Sequence, residues 1–193
     1  MTTSLFSRTA RGFTLIETII VIALSLVMIG ALTVLIRNFM IVSSYTQLST
    51  MSATSIRTVM NEAELLIPTA NRVLASYDFP DATHASSATV LVLEIPSVDS
   101  SGAIIPNAHD HAAFYTDGTY AYRTLATDAA SARIPGRKQL SDTISSLTFY
   151  YNNADLGLAN VVTIDAQVLQ QTKDQRSTDR RREQLILRNF SSI

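Results

Sequence analysis

Glu17 is the only charged residue between Phe13 and Ile36, a run of 24 residues. A lone acid in such a segment costs a few kcal/mol if the segment lies in lipid, so it is by default a functional residue in need of a named partner. Arg11 lies six residues back and off the same helical face, which makes it a poor partner within the chain. The other candidate chemistry is sparser. His109-Asp110-His111 sets two imidazoles at a spacing that would share one face of a strand, but Pro106 and Asn107 predict a loop there. No third ligand is placed, so two solvated loop histidines are expected rather than a metal site. His84 stands alone.

Arg180-Arg181-Arg182 follows Asp174 and Asp179 and predicts a solvated hairpin tip balanced by nearby acids, with binding of DNA or another anionic surface as the sharper alternative. Tyr120, Tyr122, Tyr150 and Tyr151 are expected to pack on a sheet, a sugar-binding surface being the alternative. There are no cysteines, which excludes a disulfide, a thiol nucleophile and a cysteine-based metal site. Serines are abundant, yet none sits in a Gly-x-Ser-x-Gly setting, and six glycines form no phosphate-cradling loop. The expectation is a protein that is not an enzyme and holds no cofactor or metal.

The elements that must position these groups come in two textures. Phe13–Ile36 is long enough to span a bilayer core of roughly 30 Å at ~1.5 Å rise per residue. Met1 to Gly12 carries Arg8, Arg11 and no acid, which keeps that side cytoplasmic and puts the body after Arg37 outside. A secretory signal peptide would have a shorter apolar core and a small-x-small site behind it, and neither is present. An ordinary uncleaved anchor remains open. Without Arg8 and Arg11 there are 13 basic against 16 acidic residues, a balance that argues against a general nucleic-acid binder.

Beyond Arg37 the apolar positions Tyr45, Leu48, Ile56, Val59, Ala63, Leu66 and Ala70 fall mostly at three- and four-residue steps, a stripe suited to packing on a sheet. Pro68 ends or kinks the helix. One helix from Phe13 to about Ile67 would be roughly 80 Å long; two helices broken near Ser43-Ser44 are the alternative. Strands are expected at Ala88–Ile95, 113–116, 119–122, 144–151, 162–168 and 184–190, with Asp117-Gly118 as a two-residue hairpin turn. A long helix followed by an antiparallel sheet is an α+β fold. Roughly 120 residues beyond the stalk suffice for a core without disulfides.

Arg11-Gly12-Phe13-Thr14-Leu15-Ile16-Glu17, followed by a long apolar run, resembles the class III signal of type IV prepilins and pseudopilins. The resemblance implies a pilin-like fold and cleavage by a prepilin peptidase between Gly12 and Phe13, with methylation of the new Phe13 amine. It also implies that Glu17 pairs with the N-terminal amine of a neighbouring subunit during assembly, a pairing that would set stagger more than raw stability. The divisions would be a leader at 1–12, a transmembrane half-helix at 13–36, an amphipathic half at 37–75 and a β-rich head at 76–193. Partners would be the peptidase, other pilin or pseudopilin subunits, an inner-membrane assembly platform driven by a cytoplasmic ATPase, and membrane lipid. DNA would join them only if the filament takes up DNA. The subunit would sit first in the cytoplasmic membrane as a single-pass protein and then in a filament. Many major pilins carry a proline in the buried half of the helix, but Met28–Val34 has none, and Gly30 is the one weak helix former there. That departure points away from the main filament subunit. The layout of the last 80 or so residues, closing on Leu187-Arg188-Asn189, resembles larger minor pilins and pseudopilins of the W and J types.

Overall fold

The computed structural model describes residues 12–172 and 175–190. Arg8, Arg11 and Asp174 lie outside the described residues. The chain divides into two compact units between Ser44 and Tyr45.

Helix α1 covers Leu15–Leu66, 52 residues, without interruption at Ser43-Ser44. Within the first unit every described residue of α1 is exposed, including the large apolar side chains from Leu15 to Val42. This is the texture of a helix that is apolar all round and therefore suited to lipid. It is the one helix among the described residues long and apolar enough to cross a membrane. Three of its hydroxyls in this unit are satisfied internally. Ser25, Thr33 and Ser44 donate to the carbonyls four residues back, at 2.7, 2.8 and 2.6 Å. A hydroxyl in hydrocarbon has no water to turn to, so these bonds remove most of its cost.

In the second unit α1 changes character. Leu48, Ser52, Ile56, Val59, Met60, Ala63 and Leu66 form one buried stripe. Tyr45, expected on that stripe, is instead 53% exposed. A 3₁₀ turn at Ile67–Thr69, with Pro68 near its start, closes the helix because proline supplies no N–H to continue the ladder.

Among the described residues ten strands follow: β1 (Arg72–Val73), β2 (Ser76–Asp78), β3 (Thr83–Ala85), β4 (Val90–Val98), β5 (Ile104–Thr116), β6 (Ala121–Ala126), β7 (Gly136–Ser141), β8 (Ile144–Tyr151), β9 (Val161–Gln171) and β10 (Arg176–Ile186). They make a five-stranded sheet in the order β1-β4-β5-β6-β7, a three-stranded sheet β10-β9-β8 and a separate β2-β3 hairpin. All pairings are antiparallel. One core joins Ile56, Val59, Met60 and Ala63 of α1 to Leu91, Leu93 and Phe114 of the larger sheet and Leu147, Phe149, Val162, Ile164 and Val168 of the smaller. Seven successive residues of β4 are buried, so both of its faces are covered. Glu62 of α1 holds Lys138 and lies 3.7 Å from Arg123, which fastens the helix to β7 and β6.

Three expectations change. The β5–β6 connection is four residues, Asp117–Tyr120, because the Asp117 carboxylate accepts the amides of Thr119 and Tyr120 at 3.0 and 2.8 Å and Gly118 takes φ +97°. His109-Asp110-His111 lies in β5 rather than in a loop. Asn107, at φ 59°, and Pro106 sit where the register against β4 shifts, and the strand resumes at His109 opposite Pro96. Asparagine tolerates that conformation better than most residues. The three arginines lie within β10, and the turn comes after Gln171 instead.

Candidate functional site: the amino-terminal segment

Gly12 and Phe13 precede the helix, and both are exposed, Phe13 by 84%. A Cβ built at Gly12 meets nothing within 4 Å, so local packing does not require glycine there. Thr14 is the residue before α1, and Glu17 is the third residue within it. One carboxylate oxygen of Glu17, Oε2, accepts the Thr14 N–H at 2.8 Å and the Thr14 hydroxyl at 2.9 Å. The Thr14 Oγ1 in turn lies 3.4 Å from the Glu17 amide nitrogen. This is a capping box, in which side chain and backbone at the two positions satisfy each other's orphan donors. An acid in the first turn also complements the positive end of the helix dipole.

Gly12, Phe13 and Glu17 are thus brought within about one helical turn, and Glu17 finds its hydrogen bonds in Thr14. Sequence reasoning passed over Thr14, although Thr-x-x-Glu ahead of an apolar run is itself a legible signal.

The other candidates resolve into structural parts. His109 Nδ1 is 3.2 Å from Asn71 Nδ2 and 3.8 Å from Glu94. His111 stacks on Tyr77 with centroids 3.7 Å apart. Glu94 is the nearest candidate for a third ligand, but one of its oxygens accepts both Nε and Nη2 of Arg72, at 3.2 and 2.8 Å. Among the described residues no three His, Cys, Asp or Glu side chains are grouped to hold a metal ion. Asp110 is fully buried and accepts from Ser97 Oγ, the Asp128 amide, Ser131 Oγ and Arg133 at 2.7 to 2.9 Å. Burial pushes its pKa up, but those donors outweigh it and hold the carboxyl below its usual range.

Arg180 forks onto Asp165 at 2.8 and 2.5 Å, Arg181 pairs with Glu64 and Glu183, and Arg182 lies over the Tyr150 ring. The positive run is spent on cross-strand and strand–helix partners. Tyr151 donates to the Ser87 and Val90 carbonyls and ties β8 to the start of β4, while Arg137 covers the ring of Tyr122.

A family model described as the prokaryotic N-terminal methylation motif matches residues 7–33, a stretch that includes Gly12, Phe13, Thr14 and Glu17. The chain therefore carries a type IV pilin-like class III signal ahead of an α+β architecture of the pilin kind, a long amino-terminal helix with antiparallel sheets. The match supports a type IV pilin-like reading of the chain. Such a motif implies processing by prepilin peptidase and assembly with other pilins, and with the exposed apolar helix it points to membrane anchoring. Comparison with curated proteins and with solved structures returns no match.

Proposed function

We propose that the chain is a minor pilin or pseudopilin, cut between Gly12 and Phe13, methylated on the Phe13 amine and drawn into a filament through Glu17. The observation that carries this reading is the coincidence of the methylation motif with an exposed apolar helix whose first turn holds the span's one acid. Cleavage creates an ammonium at the start of the helix. In a medium of low dielectric, that charge and the Glu17 carboxylate of an adjacent subunit stabilise each other only in the matched register. Glu17 would exchange a hydrogen bond from Thr14 for the neighbour's amine as it leaves the lipid.

The finer divisions follow the same reading: leader 1–12, membrane half of the helix 13–36, a segment 37–75 that holds the amphipathic half of α1 with its closing turn and β1, and head 76–193. The amino terminus is cytoplasmic, the head extracytoplasmic, and the assembly platform acts on the membrane-held subunit. Adhesion or twitching pili, type II secretion and DNA uptake are all compatible machines. The unbroken helix through Gly30 and the absence of proline between Met28 and Val34 favour a minor over a major subunit.

An uncleaved, membrane-anchored binding protein is the competing reading, and the capping box favours it to one degree. That box gives Glu17 a local role that needs no neighbour. Glu17→Gln separates the two. The pilin reading expects the variant to be processed but to enter filaments at least about tenfold less well, one factor of ten being ~1.4 kcal/mol. Filament yield equal to the parent would remove Glu17 from assembly.

A further inference from the structure

Two charged side chains stand between Phe13 and Ser44, Glu17 and Arg37, and they are of opposite sign. Both are exposed on a stretch of α1 whose other exposed side chains are mostly apolar. They cannot meet within one chain. Arg37 follows Glu17 by 20 residues, a rise of about 30 Å, and at ~3.6 residues per turn the two lie on nearly opposite faces. Glu17 uses one oxygen, Oε2, for both Thr14 donors, and Oε1 has no partner among the described residues. Arg37 has no hydrogen bond or ion pair among them either. A carboxylate offers about four lone-pair sites, so Oε1 is open to a guanidinium.

We propose that Arg37 is a second assembly contact: its guanidinium binds Glu17 Oε1 of another copy of this chain, displaced outward by about 30 Å along the helix axis. This contact rests on the pilin reading given above and adds a second neighbour to it. The Phe13 amine of one copy and the Arg37 side chain of another meet the same carboxylate. Copies inserted from the same side of a membrane have parallel helices, so a shift of 20 residues sets Glu17 of the advanced copy level with Arg37 of the trailing one. The same shift lays residues 13–22 of one copy beside 33–42 of the other, about 15 Å of largely apolar helix on helix around one charge pair. A second copy is the occupant because charge and spacing are complementary within one sequence. Each copy offers a carboxylate on one face and a guanidinium on the opposite face. Such a contact is heterologous, so it propagates into an open array instead of closing as a two-fold dimer.

The bilayer keeps the two partners apart until assembly. Copies held at one depth have Glu17 and Arg37 about 30 Å from each other, the thickness of a whole hydrocarbon core. The guanidinium then snorkels toward the outer headgroups, and the carboxylate stays with Thr14. The pair forms only once one copy has moved outward by that thickness, so it marks the assembled state. Among packed apolar helices the attraction is little screened, and a guanidinium left there without a carboxylate is costly.

Disulfide trapping in the full chain tests this, since the chain has no cysteine of its own. By helical geometry Val21 of the advanced copy and Met40 of the trailing copy flank the charge pair on one side, and Ile20 and Ile41 flank it on the other. Val21→Cys with Met40→Cys in one chain leaves Glu17 and Arg37 in place, and the two sites are too far apart along α1 to join within a copy. Mild oxidation is expected to give a ladder of crosslinked multimers in sheared filaments and none in membranes that lack the assembly ATPase. Ile20→Cys with Ile41→Cys is expected to do the same. Filaments of either variant without a ladder overturn the proposal alone, as does an equal ladder in membranes without the ATPase. A parent that is not cut after Gly12 or forms no filaments overturns the pilin reading and this contact with it. Arg37→Gln gives an independent measure: filament yield about tenfold lower with cleavage unchanged, restored by Arg37→Lys, and no further loss when combined with Glu17→Gln. A parental yield from Arg37→Gln, or an additive loss with Glu17→Gln, also overturns it.

Discussion

The two stretches of α1 on either side of Ser44–Tyr45 share one unbroken backbone and follow different rules. Between Leu15 and Ser44 no side chain is buried by the protein, and apolar residues occupy every side of the helix. Between Tyr45 and Leu66 the buried residues form one stripe, while exposed Thr50 and Thr54 and half-buried Thr58 bond their own backbone at 2.8 to 3.0 Å. The difference shows that helical backbone alone does not set the character of α1, since both stretches have it. What differs is the surroundings: no described part of the chain covers the first stretch, and the sheets of its own chain cover one face of the second.

The sharpest contrast comes from truncation. Met60→Ala, in the shared core, is expected to lower the stability of the β-rich unit by about 2–5 kcal/mol, because it opens a cavity among well-packed neighbours. Leu26→Ala, in the exposed stretch, should leave that stability unchanged. Denaturant titrations in detergent followed by near-ultraviolet circular dichroism measure both, and equal effects would break the comparison.

Charge insertion probes the same boundary. Leu26→Arg should disfavour membrane insertion by about 2.5–3.5 kcal/mol, whereas Leu65→Arg, at a position 65% exposed, should shift stability by no more than about 0.5 kcal/mol. Membrane fractionation of the first and thermal melting of the second are the readouts.

A smaller effect is expected at the helix start. Thr14→Ala removes a capping hydroxyl and should weaken the first turn by about 1 kcal/mol, seen as faster amide exchange at Ile16 and Glu17, with Thr14→Ser retaining protection.

The last effect is one of pH. Because Asp110 has a carboxyl pKa held down in the folded state, its contribution is present above the ordinary carboxylate value of about 4 and is lost as pH falls through the lower folded value. Acid unfolding curves of the parent and Asp110→Asn should therefore converge at low pH and separate above it.

Much of this contrast was legible from residue order. A span with one acid, a stripe at three- and four-residue steps and alternation along Val162, Ile164, Ala166 and Val168 each report a face and its surroundings directly. What escaped was pairing across distance. Arg180 reads as a solvated charge until Asp165, fifteen residues earlier, is brought opposite β10. Pro106-Asn107 reads as a loop until β4 offers a partner strand on which to resume. Tyr45 obeys the periodicity but lies ahead of Leu48, the first buried residue of α1, so its face stays exposed. At the amino terminus the cost of Glu17 in lipid drew attention to a partner outside the chain, and the Thr14 cap three residues away was missed for that reason.

The central claim is that this chain is processed into a pilin-like subunit, and the most direct test is the amino terminus of the protein recovered from membranes. Intact mass and amino-terminal sequencing, with and without the prepilin peptidase, are expected to show a chain beginning at N-methylated Phe13 only when the peptidase is present. A chain still beginning at Met1 in peptidase-competent cells would contradict the account and leave α1 as a permanent anchor.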